Sequence, residues 1–247
     1  MSQMARREAI EGYIWISPWI LGFLIFVLGP MVASLILSFT SYEGLAKPRF
    51  IGIDNYVEIF FRDKVFYGSV GRTFYYALVS VPLGLFGSFL LAVLLNQVTY
   101  GKAFYRTLFY LPSLTPGVAL VILWLWILQP QFGLVNYLLR QIGIQGPAWF
   151  GSVEWAIPSL ILMHWWNDVG GGRMIIFLAA LQGVPTELYE AAAIDGASGF
   201  QQFWHITFPM VSPAFLFNLI LGVIGALKVF ESAFIATAGG PARATSA

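Results

Sequence analysis

The chain has no cysteine among its 247 residues. That excludes a disulfide scaffold, a thiol nucleophile and any cysteine-based metal site. The two histidines, His164 and His205, are too far apart to match a metal-ligand spacing. Charge is also scarce. Asp, Glu, Lys and Arg make up 10% of the residues, against about 25% in ordinary soluble domains. The net charge is +1, so no basic field marks a nucleic-acid partner. No GxxxxGK[ST] loop is present, so the chain lacks that route to binding a nucleotide. What it has instead is apolar surface: 58% hydrophobic residues, with 22 Phe, 11 Tyr and 9 Trp. This is the composition of a membrane protein.

Five regions carry the roughly 20 apolar residues that a spanning helix needs: 13–39, 73–95, 108–128, 155–181 and 208–226. The first is too long for a signal-peptide core, because no charge falls between Gly12 and Tyr42. Helices are expected rather than barrel strands, since the runs lack period-two alternation. Prolines 18, 30, 82, 112, 116, 158, 209 and 213 fall in or beside the runs and are expected mainly to shape packing. Gly84 and Gly87, and Gly222 and Gly225, permit close helix approach. The fourth region is irregular. Asn167, Asp168, three glycines and Arg173 interrupt its two apolar halves, as in a broken helix lining a cavity. Three readings stay open for its charges: snorkelling at one membrane surface, a place in a translocation pathway, or an Asp168–Arg173 pair. Asn218, on the fifth run, joins Asn167, Asp168 and Arg173 as a candidate pathway residue.

Orientation stays open on charge alone. An internal N-terminus places Arg6, Arg7, Lys102 and Arg106 inside. It also places Lys47, Arg49, Arg62, Lys64, Arg140 and Arg243 outside, against the positive-inside tendency.

The polar stretch ELYEAAAIDGASGFQQFWHITFPM, residues 187–210, stands between apolar runs. Leu188, Ala191 and Ala192 share one helical face. Gly196 and Gly199 interrupt the helix. Phe200, Phe203, Trp204 and Phe208 then form a stripe, and Pro209 suits the first turn of a new helix. An interfacial helix lying on lipid fits the aromatic stripe. The small alanine face beside Glu187 and Glu190 fits close docking against protein better. Those two acids could be offered as a general acid and base, but no nucleophile or metal set surrounds them.

Here the sequence closely resembles a known signature. Glu190, Ala191, Ala192, Gly196, Ile206 and Pro209 match the cytoplasmic loop of binding-protein-dependent ABC importer permeases. Asp195–Gly196–Ala197, FLAALQGVPTELYE, RTLFYLPSLTP and TAGGPARAT resemble the branch that carries maltose, lactose and glycerol phosphate. The resemblance implies an all-α, polytopic helical bundle of the MetI-like permease type in a bacterial or archaeal cell membrane. It implies a cytoplasmic tail at 1–12, a transmembrane domain at 13–233 with a coupling loop at 183–208, and an external segment at 234–247. Residues 40–70 would face the binding protein. Glu190, Ala191, Ala192, Asp195, Gly196, Ala197 and Pro209 would form the coupling site for an ATPase. The implied partners are a second permease subunit, two ATP-binding cassette subunits, which alone use ATP, and an extracytoplasmic binding protein. No cofactor and no enzymatic role are implied. The family core has six spans where five are expected here, so the resemblance also implies a chain truncated before the last one. A truncated fragment without activity and a stand-alone transporter or channel are the alternatives.

Overall fold

The computed structural model describes residues 3–42, 44, 47–240 and 245. Arg243 and most of the GGPARAT stretch lie outside the described residues. The chain divides into two compact units, Met1–Phe66 and Tyr67–Ala247.

The first unit is led by α1 (Gln3–Phe23), which runs through a π turn (Leu24–Leu28) into α2 (Gly29–Leu37). A short antiparallel pair, β1 (Thr40–Ser41) and β2 (Arg49–Phe50), follows. The unit ends with α3 (Asp54–Val57) and a second π turn at Glu58–Arg62. Asn55 ties the end of α2 to α3 by donating to the carbonyls of Ser38 at 2.8 Å and Thr40 at 3.0 Å. The most apolar window of the first helix buries none of its residues. Such a surface suits a bilayer or a partner helix rather than water.

The described residues of the second unit form helices joined by turns and loops, with no strand among them. In order come α4 (Phe66–Gln97), α5 (Lys102–Tyr110), α6 (Gly117–Ile127), α7 (Leu134–Gln141), α8 (Ala156–Val169) and α9 (Gly172–Gln182). Then follow α10 (Thr186–Ile194), α11 (Gly199–Gln202), α12 (Phe208–Ala226) and α13 (Phe230–Thr237). Two apolar cores hold it. One gathers Tyr76, Val81, Val121, Trp124, Leu160 and Met163. The other gathers Leu85, Phe89, Ala92, Met174, Phe177 and Val211. At the second, Phe89, Phe177 and Phe215 meet with ring centroids 4.7–5.4 Å apart, close enough to add aromatic pairing to burial.

Two expectations need correcting. The third expected span, 108–128, is not one helix. A 3₁₀ turn (Leu111–Leu114) and extended Thr115 and Pro116 separate α5 from α6, which bend by 94°. Pro116 is the cause, because a residue before proline is pushed out of the helical region. Pro116 therefore does more than shape packing. Second, Pro209 does not open a separate helix. Residues Gly199–Ala226 form one apolar helix, widened by a π turn at Phe203–Thr207 in which Phe208 N–H bonds back to Phe203. Proline clashes with the carbonyl four residues earlier. Here that is His205, inside the widened turn. Pro30 follows the first π turn in the same way. The five expected spans included a broken fourth. Among the described residues, three helices are long and apolar enough to cross a membrane, or four if the bent pair counts as one. The expected fourth span is the shorter pair α8 and α9, broken at Gly170 and Gly171.

Candidate functional site

The break between α8 and α9 is built by close backbone contact. Gly170 sits against the carbonyl of Phe109, and a Cβ there would also lie 2.8 Å from the Phe109 carbonyl carbon. A Cβ on Gly171 would lie 3.2 Å from Ser113 Cβ. The bend after α5 thus seats in the break after α8. The open end of α8 is tied to α4. Ser88 Oγ lies 2.6 Å from the Gly84 carbonyl and 3.0 Å from the Asp168 carbonyl, sharing one proton between them. Trp165 Nε1 donates to the Leu83 carbonyl at 3.2 Å.

The break brings Asp168 and Arg173 together. Arg173 Nη1 is 3.0 Å from Asp168 Oδ2, a contact that five positions on a continuous helix would not allow. The guanidinium lies in a slot between α4 and α12. A Cβ on Gly84 would stand 2.6 Å from Nη1, and one on Gly222 would stand 3.2 Å from Nη2. Those two glycines, expected to let helices approach, instead make room for an arginine. Gly87 clears the side chains of Val169 and Trp165, and nothing stands within 4 Å of a Cβ on Gly225.

Asp168 and Arg173 open onto a cavity of about 210 Å³. Tyr76 and Ser80 of α4, His164 of α8, and Glu231 and Ser232 of α13 contribute to its polar wall, with Lys228 from the turn before α13. At about 30 Å³ per water molecule, this is room for about seven waters or one small ring. His164 Nδ1 lies 2.9 Å from the Leu160 carbonyl and Nε2 lies 3.2 Å from Ser232 Oγ. A carbonyl only accepts, so Nδ1 carries the proton and Nε2 of the neutral ring accepts from Ser232. Asn167 and Asn218 do not line this cavity. Asn218 is fully buried and donates to Ala214 of its own helix at 3.0 Å. The cavity residues missed from sequence, Tyr76, Ser80, His164, Glu231 and Ser232, come from elements far apart in the chain. Their spacing carried no local signal.

At its other end α9 leads through Gly183, Val184 and Pro185 into α10. The expected turn is present in detail. Gly196 has φ +78°. Gly196 N–H bonds to the Ala193 carbonyl at 3.1 Å and Ala197 N–H to the Ala192 carbonyl at 2.9 Å. These are the paired bonds of a Schellman cap, which needs a left-handed residue at Gly196. Ser198 then caps α11 through a reciprocal capping box with Gln201. The partly buried face of α10 is Tyr189 and Ala192, with Tyr189 Oη 2.8 Å from Thr207 Oγ1. Leu188 and Ala191, expected on the same face as Ala192, are exposed. Glu190, Asp195, Gly196 and Pro209 are exposed and Ala197 half-buried. Ile194 and Phe200 are 88% and 73% exposed. Of the expected aromatic stripe, Phe200, Trp204 and Phe208 follow one another at 6.3 and 5.2 Å, while Phe203 packs against Phe89 of the second core.

Residues 80–243 match the family of binding-protein-dependent transport system inner membrane components. The chain belongs to that family. It is therefore an all-α permease of the MetI-like fold and a membrane transport component, not an enzyme. The permease is 43% identical over 240 residues to the probable ABC transporter permease protein YesP of Bacillus subtilis (strain 168), covering 96% of this chain and 77% of that one. It is 30% identical over 246 residues to the trehalose/maltose transport system permease protein MalF of Thermococcus litoralis, covering 99% and 83%. Among solved structures it resembles a chain of a bacterial ABC transporter involved in the import of the acidic polysaccharide alginate. That match has a TM-score of 0.82 at 27% identity, over 98% of this permease and 81% of that chain. A second match, with a TM-score of 0.83, comes from the alginate transporter in complex with a pentasaccharide-bound periplasmic protein.

Proposed function

We propose that this permease carries a sugar or oligosaccharide across a bacterial or archaeal cell membrane, driven by ATP hydrolysis on partner subunits. The observation that carries the reading is the turn from Glu187 to Thr207, exposed over most of residues 187–201. It is rigid by construction, with a Schellman cap followed by a capping box, and it leaves Ile194 and Phe200 uncovered. A stiff element with exposed apolar residues suits docking against another protein. Glu190, Ala191, Ala192, Asp195, Gly196 and Ala197 belong to this ATPase-docking segment, and Pro209 lies just after it. The partners in this reading are two ATP-binding cassette subunits, a second permease subunit and an external substrate-binding protein.

The cavity at the far end of α9 is the part of the pathway this chain supplies, with Asp168 and Arg173 on its wall. Because α9 joins the cavity to the docking segment in one short helix, movement imposed at α10 is delivered to Arg173. The relative named for trehalose and maltose, and the alginate importer, support a sugar as cargo. The test is uptake in proteoliposomes by the assembled transporter with its binding protein. A sugar panel is compared with amino acids and metal ions. Uptake restricted to sugars supports the reading, and uptake restricted to amino acids contradicts it.

A further inference from the structure

We infer that Asp168 and Arg173 are the specificity-determining pair of the cavity, together reading two neighbouring hydroxyl groups of an uncharged sugar ring. The inference rests on the cavity being part of the transport pathway and names the ligand chemistry that its wall selects.

The pair is held in place from three sides. Gly84 and Gly222 leave a slot that a methyl group at either position would narrow to 2.6 or 3.2 Å from the guanidinium nitrogens. Ser88 and Trp165 tie the end of α8 that carries Asp168 to α4. A side chain fixed in this way loses little freedom on binding.

The pair also faces the cavity. Among the described residues Arg173 Nη1 makes no well-aligned hydrogen bond, so its contact with Asp168 is Coulombic. Nη1 itself is buried, but Arg173 and Asp168 are 18% and 34% exposed and both line the cavity, which sets a guanidinium beside a carboxylate on one wall. Two hydroxyls on adjacent ring carbons offer the complement: one donates to the carboxylate while its neighbour accepts from the guanidinium. Tyr76, Ser80 and Ser232 add hydroxyl groups around them.

Charge then sets the class. Arg173 and Lys228 balance Asp168 and Glu231 among the groups lining the cavity. A ligand carboxylate or phosphate would leave one charge uncompensated beside the half-buried Asp168–Arg173 pair, which is costly. A neutral polyol leaves the balance intact.

The experiment uses the full chain in lipid nanodiscs, assembled with its partner subunits and titrated with glucose and with glucuronate by calorimetry. These probes differ in a hydroxymethyl group against a carboxylate. Native protein should bind glucose about tenfold more tightly than glucuronate. Asp168→Asn leaves an extra positive charge and should reverse the order in favour of glucuronate, a change that a purely structural role would not produce. The double variant Asp168→Asn with Arg173→Gln restores neutrality and should restore the glucose preference with weaker binding. It also controls for misfolding of the single variant. Glucuronate bound as tightly as glucose by the native protein, or an unchanged order in Asp168→Asn, overturns the inference alone. Failure of the native protein to bind either sugar overturns both the inference and the pathway reading.

Discussion

The chain turns at glycine-rich joints on both sides of α9 and α10, at 170–172 and at 196–199, for opposite reasons. At the first joint the backbone angles are ordinary. Gly170 has φ −93° and Gly171 φ −78°, which any residue adopts. Glycine is needed there for space, because the Phe109 carbonyl and Ser113 press against it. At the second joint space is plentiful, with nothing within 4 Å of a Cβ on Gly196 or Gly199. Glycine is needed at Gly196 for its angle, φ +78°. The first joint locks two broken helices together, and the second shapes an exposed turn. A lock inside the protein and a rigid knuckle outside it suit a subunit that must pass movement from its surface to its interior.

Gly170→Ala should show the largest effect. The new methyl meets a backbone carbonyl that cannot rotate away, and overpacking of this kind costs about 3 kcal/mol. Reversible unfolding in bicelles, compared with the native protein, checks it. An unaltered unfolding midpoint would mean that the two breaks do not interlock.

Gly196→Val should cost less, about 1–2 kcal/mol, through backbone strain alone. Its main effect should fall on coupling: substrate-stimulated ATP hydrolysis by the assembled transporter drops while the permease stays folded. Gly196→Asn, which tolerates the left-handed region, should recover most of the rate. Equal stimulation by the native protein and the valine variant would separate the turn from coupling. Ser198→Ala removes the cap of α11 and should cost about 1 kcal/mol, seen as faster amide exchange confined to residues 199–202.

Gly172→Ala sharpens the contrast from the other side. It is the third glycine of the same run, yet nothing stands within 4 Å of its Cβ and it begins α9. Alanine there should be neutral or stabilising by up to about 1 kcal/mol. A loss as large as that at Gly170 would show that the whole run, rather than one contact, makes the break.

These contrasts mark what a sequence can disclose. The membrane class, the helical fold, the broken fourth region and the turn at Gly196 were legible, because each has a local signature in hydropathy, in paired glycines or in capping residues. The pairing of Asp168 with Arg173 was one of three open readings, and the break brings it about. The bend at Pro116 was legible in principle but was hidden inside a charge-free run. The cavity was not legible. Tyr76, His164 and Ser232 meet through tertiary packing, and Asn167 and Asn218 looked equally polar on paper. Gly84 and Gly222 read as helix contacts, because nothing in the local pattern says that an arginine from a third helix fills the gap.

The most direct test of the account is where this permease touches an ATPase subunit. The chain has no cysteine, so Ile194→Cys, at a position 88% exposed, places a photoactivatable maleimide label at one known point. Illumination of the assembled transporter should cross-link position 194 to the ATPase, with the same label at Tyr100, itself 88% exposed, as the control. Cross-links from 194 but not from 100 are the expected result. Cross-links from 100 with none from 194 would contradict the assignment of residues 187–207 as the docking segment.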